Sequence, residues 1–79
     1  MTYIYKTKIC VWAIAPRGSR WQLRWHLSDG FEISGDYSNP AQAADDVVQS
    51  ATGFHEWDVA QHGAEIGDIS NWQQVKSYP

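Results

Sequence analysis

The residue types most able to do chemistry gather in one short stretch, His55-Glu56-Trp57-Asp58 followed by His62. Imidazoles and carboxylates ligate metals, but the His-x2-Asp-x3-His spacing matches no standard zinc arrangement and no cysteine joins it. An extended chain would also point His55 and Asp58 to opposite faces. Ordinary solvated polar residues are expected here, with no metal. Cys10 paired with His26, His55 or His62 would make a nucleophile and base. It falls in mid-strand, with no helix N-terminus or oxyanion donor in prospect, so a buried free thiol is expected. Asp45 and Asp46 are neighbours on a helix, about 100° apart, and cannot split acid and base roles as a carboxylate pair would. No glycine motif cradles a phosphate; Gly30, Gly35 and Gly53 serve turns and stops. These residues point to a protein that binds rather than catalyses and needs no cofactor.

The elements that position them belong to one small domain, residues 1–79. A 9.0 kDa chain is expected to fold to a surface of roughly 4,900 Å² from about 13,000 Å² unfolded, enough for one core but no deep cavity within it. The single cysteine makes no internal disulfide, which points to a reducing compartment. Without an apolar h-region after Met1 or a run near the ~20 residues of a membrane span, the expectation is a cytoplasmic protein. Five tryptophans give a small core much buried area, and any that the core leaves out becomes an interface candidate.

Charge is sorted along the chain. Lys6, Lys8, Arg17, Arg20 and Arg24 precede every acid, and all nine acids lie between Asp29 and Asp68. Either the two halves pair across a sheet or the surface is polarised.

Thr2 to Ala15 reads as one long strand, and Pro16-Arg17-Gly18-Ser19 as a loop. Arg20 to Leu27 alternates cleanly, Trp21, Leu23, Trp25 and Leu27 against Arg20, Gln22, Arg24 and His26. A Ser28-Asp29-Gly30 loop would keep Phe31, Ile33 and Tyr37 on the apolar face and set His26 beside Glu32 and Gln22 beside Asp36. Asn39 to Ala51 is a helix, capped by Asn39 with Pro40 in the first turn and stopped by Gly53. Its stripe of Ala41, Ala44, Val47, Val48 and Ala51 should lie against the Trp21–Leu27 face. A further strand is expected near residues 56–61, while the tail fits either a short helix or an edge strand. The fold class is therefore α+β: a three- or four-stranded antiparallel sheet with one helix packed on one face.

The opposite sheet face would carry Lys6, Lys8, Cys10, Trp12, Ile14, Arg20, Gln22, Arg24, His26, Glu32 and Asp36, unless the tail folds over Trp12. Two binding modes follow. The basic residues and Trp12 could form a nucleic-acid platform. Alternatively, Trp12 with Glu32, Asp36, Asp45 and Asp46 could contact a protein partner whose surface is basic, such as a nucleic-acid-binding complex. In its small size, acidity, lack of a catalytic motif and N-terminal strand Met1-Thr2-Tyr3-Ile4-Tyr5-Lys6, the chain resembles the phage- and prophage-encoded anti-CRISPR proteins that inhibit type I, I-C-like, Cascade. That resemblance implies a monomeric inhibitor in a bacterial host's cytoplasm, bound to a Cascade subunit and blocking DNA recognition or nuclease recruitment. These inhibitors share no motif, so no functional residue is carried over.

Overall fold

The computed structural model describes residues 1–79. The N-terminal segment is a hairpin, not one strand: β1 (Thr2–Lys6) and β2 (Val11–Arg17) are antiparallel. Thr7 makes the break. Its hydroxyl donates to the Cys10 carbonyl (2.8 Å) and accepts from the Ile9 and Cys10 amides (3.2 and 3.1 Å), offering the backbone a local turn in place of a continued strand. The turn puts Tyr3 opposite Ile14 and Tyr5 opposite Trp12. All four therefore share a face, where an unbroken strand would have divided them.

β3 (Arg20–Leu27) follows a tight Gly18-Ser19 turn that pairs Arg17 with Arg20, and β4 (Gly30–Tyr37) completes the meander. Then come α1 (Pro40–Val48), α2 (His55–Asp58), 3-10 turns at Ala64–Gly67 and Ile69–Asn71, and β5 (Gln73–Val75). The sheet has five strands in the order β4-β3-β2-β1-β5, every pair antiparallel. The extra strands relative to expectation come from the Thr7 turn and from the tail, whose edge-strand alternative is the one adopted. The segment expected as a strand near 56–61 begins instead within α2. Asp58 holds it there by accepting from the Thr52 amide (3.2 Å), the Thr52 hydroxyl (2.7 Å) and the Gly53 amide (3.0 Å).

Asn39 caps α1 by accepting from the Gln42 amide at 2.9 Å, with Pro40 in the first turn. Gln42 reaches back to the Ser38 hydroxyl (2.6 Å). The helix is shorter than expected because Ser50 already takes the left-handed conformation (φ 58°), three residues before Gly53 (φ 82°). Its buried residues are Ala43, Ala44 and Val47, while Ala41 and Ala51 are exposed. The small side chains bring the helix close to the sheet, and Trp57 ties it down by donating from Nε1 to the Val47 carbonyl at 2.9 Å.

The core lies between α1 and the face of Trp12, Ile14 and Leu23, closed by Phe54, Trp57, Ile66 and Trp72. Trp12 is at its centre, fully buried, edge-on to Trp57 (5.4 Å between centroids), Trp25 (6.1 Å) and Phe54 (6.2 Å). Trp25 in turn stacks on Phe54 at 4.7 Å. The total accessible surface, 4766 Å², matches the area expected for this mass.

The β3–β4 ladder corrects the expected turn. Leu27 pairs with Gly30 (φ 141°) across a two-residue Ser28-Asp29 link. His26 then opposes Phe31, Trp25 opposes Glu32, and Arg24 opposes Ile33. A bulge follows, after which Leu23 faces Gly35 and Trp21 faces Tyr37. The extra residue is Ser34, whose hydroxyl donates to the Thr52 carbonyl. One inserted residue reverses the parity of everything on one side of it. Tyr37 keeps the helix-facing side, while Phe31 and Ile33, expected in the core, are turned onto the outer face.

Candidate binding face

The outer face of the β2–β3–β4 region is assembled by alternation. Arg17, Arg20, Gln22, Arg24 and His26 share it through the β2–β3 and β3–β4 registers, and the bulge adds Phe31 and Ile33. Phe31 is 45% exposed and Ile33 54%. The Arg24 guanidinium carbon lies 4.9 Å from the Phe31 ring centre, and its Nε donates to Gln22 Oε1 at 2.7 Å. Burial and then the Arg17 charge pull the Arg24 pKa downward. Arg20 donates to the Asp36 backbone carbonyl (3.3 Å) rather than to a carboxylate. Cationic and apolar side chains thus stand together on this face.

Part of the face is covered by the chain itself. His26 is buried, stacked on Phe31 at 4.9 Å and met edge-on by Tyr78 at 4.8 Å. Its Nε2 has no partner. Desolvation lowers its pKa most, the Arg24 charge adds to that, and the Pro79 backbone opposes both. The imidazole is therefore kept neutral against the aromatic rings. Beyond His26, towards β4, the face is open.

The residues singled out from sequence fall in different places. Trp12 is in the core, because the Thr7 turn moved it to the helix side, and it cannot touch a partner. Glu32 is exposed but opposes Trp25, so it sits on the helix side of β4, not beside His26. Asp36 opposes Gln22 as expected. Asp45 is exposed, and Asp46 accepts from the Tyr37 hydroxyl at 2.6 Å; burial first, and then Asp46, hold the Tyr37 pKa well above its usual value. Asp45 and Asp46 line a shallow cleft with Tyr37 and Gln42, so the structure brings these two together and sets Glu32 and Asp36 on the adjoining edge strand. Of the expected outer-face residues, Ile14 and Cys10 are buried instead. Phe31 and Ile33 were missed. The only signal for them was Gly35, where the apolar alternation lapses beside Ser34.

The His-rich stretch is dispersed. His55 is exposed and Asp58 is engaged by Thr52 and Gly53, and no three His, Cys, Asp or Glu side chains are grouped to hold a metal ion. His62 stacks on Trp57 at 4.2 Å with Nε2 3.1 Å from Ser50 Oγ. That pair has the residue types of a nucleophile and base, but Ser50 follows the carbonyl end of α1, whose dipole disfavours an oxyanion. Cys10 is a buried free thiol, its pKa pushed up to about 12 by burial, partly offset by Thr7. At pH 8 it should therefore react with iodoacetamide far more slowly in the folded protein than in urea, since the thiolate is the nucleophile. Equal rates would show that Cys10 is accessible. Its tighter proton binding stabilises the fold fully below pH 9.0 and progressively less from there towards pH 12.

No protein-family model, curated protein or solved structure matches the chain.

Proposed function

We propose that the domain is a non-catalytic inhibitor that occupies a protein surface, anchored by Phe31, Ile33 and Arg24. The observation that carries this reading is the Ser34 bulge, which takes two large apolar side chains out of the core and displays them beside an arginine. Aromatic and arginine residues dominate the energetics of protein interfaces, with apolar anchors at the centre. Of the acids, Asp36 shares this face, while Glu32, Asp45 and Asp46 lie on the helix side of the sheet. The net charge of −3 suits a basic partner surface and would speed encounter with one. Nucleic-acid-binding complexes present that surface, and in size and acidity the chain resembles the small inhibitors of type I Cascade.

The test is a gel-shift titration of target DNA with purified type I-C Cascade, with and without this protein, beside lanes lacking Cascade. Loss of the Cascade–DNA shift, with no shift of DNA alone, is the expected result. An unaltered Cascade–DNA shift would exclude blocking of DNA recognition. A second reading, direct binding of nucleic acid, is favoured by Arg17, Arg20 and Arg24 on the same face as Phe31. It predicts a salt-sensitive shift of single-stranded probe without Cascade, weakened by Arg24→Glu.

A further inference from the structure

Residues 76–79 leave the edge of the sheet and return across its outer face. β5 pairs with β1, and both β1 and β2 stand between it and β3. The chain bends at Lys76, and Tyr78 then stands edge-on to His26 of β3. Three strand spacings are about 14 Å, which three extended residues and a tyrosine ring span and a coiled segment would not. The segment is therefore a strap over β1 and β2. The registers place Ile4, Ala13 and Ala15 on this same face. All three are buried, although the helices pack on the other side, and a strap lying over such small side chains accounts for it.

The strap is weakly held. Residues 76–79 belong to no strand or helix, and their hold on His26 is the Tyr78 ring with the Pro79 backbone beside the imidazole. With that ring in place, His26 Nε2 is buried without a partner, a desolvation cost that lifting the strap relieves. Ordering the segment costs conformational entropy as well. We propose that residues 76–79 are a releasable strap, which covers the β1–β2 half of the outer face and lifts when a partner engages Phe31 and Ile33. This rests on the inhibitor reading and adds regulation to it. Tyr78 and Phe31 meet the same His26 ring, so strap and partner converge on one anchor. With strands about 4.8 Å apart and about 3.3 Å per residue, β3 and β4, eight residues each, present an outline of roughly 250 Å². An interface takes about 800 Å² from each partner. Uncovering β1 and β2 nearly doubles what the open strip offers.

The experiment modifies histidines with diethyl pyrocarbonate, reads each site by peptide mass spectrometry, and compares the parent with Tyr78→Ala and Tyr78→Phe. His55, which is exposed, is the internal standard. Tyr78 lies beyond the last strand, so neither substitution disturbs the core. One aromatic pair is worth about fivefold in an equilibrium. Tyr78→Ala should therefore speed His26 modification about fivefold relative to His55, while Tyr78→Phe stays close to the parent. A surface that is open only part of the time binds more weakly by that fraction, so Tyr78→Ala should also inhibit in the Cascade gel shift at about fivefold lower concentration. Unchanged His26 modification in Tyr78→Ala would overturn the proposal. Faster modification with equal or weaker inhibition would overturn it too, by making Tyr78 part of the contact or irrelevant to it. If neither protein affects Cascade, the inhibitor reading falls, and the His26 rates alone decide whether the segment is a strap.

Discussion

Trp12→Ala is expected to remove a large share of the domain's stability, and for a reason unrelated to partner binding. The indole is fully buried and touches Trp25, Phe54 and Trp57 at once. Truncating a buried aromatic costs about 3–5 kcal/mol, against a total stability of about 4–12 kcal/mol for a domain of this size. Urea denaturation followed by far-UV circular dichroism should show the midpoint falling by roughly a quarter or more. Trp12→Phe should fall between the two. It keeps a ring in the cavity and removes the indole Nε1, which has no hydrogen-bond partner, so part of the lost packing is offset by a relieved desolvation penalty. An unchanged midpoint in Trp12→Ala would place the indole at the surface and restore it as a candidate contact.

Two of the places where the sequence misleads have a common cause. Period-2 alternation reports faces faithfully only while the strand is unbroken. Between Arg20 and Leu27 it is unbroken, and the division of Leu23 from Gln22 and Arg24 is as read. In the first fourteen residues the alternation runs through Thr7, and the turn there depends on one hydroxyl making three short-range bonds. Thr is also a good strand residue, so nothing in the pattern distinguishes the two outcomes. In β4 the extra residue is fixed by a tertiary contact, Ser34 to the Thr52 carbonyl, and no local window contains both partners. The cap of α1 lay within four residues and was legible. Its C-terminus was not, because Ser50 adopts, ahead of Gly53, a conformation that glycine accepts more readily. Asp36 lies opposite Gln22 as read, but the side of β4 taken by Glu32, Phe31 and Ile33 depended on the turn and the bulge and could not be found from composition.

Phe31→Ala is the substitution expected to separate binding from folding most sharply. In the proposed complex it removes the aromatic anchor, and loss of a hot-spot side chain costs about 2 kcal/mol or more, roughly a 30-fold rise in Kd. Competition in the Cascade gel shift measures it directly. The effect on folding should be smaller, because the ring is 45% exposed and its neighbours are the His26 ring and the Arg24 guanidinium. Such ring and cation contacts contribute about 0.5–1.5 kcal/mol each. Ile33→Thr keeps a β-branched side chain in the strand, so it should leave the urea midpoint within about 0.5 kcal/mol of the parent while still weakening the complex. Val59 supplies the control. It is a comparably exposed apolar residue, at 68%, but it follows α2, away from this face. Val59→Thr should change neither stability nor inhibition. Loss of inhibition in Val59→Thr with full activity in Phe31→Ala and Ile33→Thr would move the contact surface to the α2 side. Loss in Phe31→Ala and Ile33→Thr alone would give the bulge its purpose, since a regular β4 would have buried both side chains and left this face with arginines and no anchor.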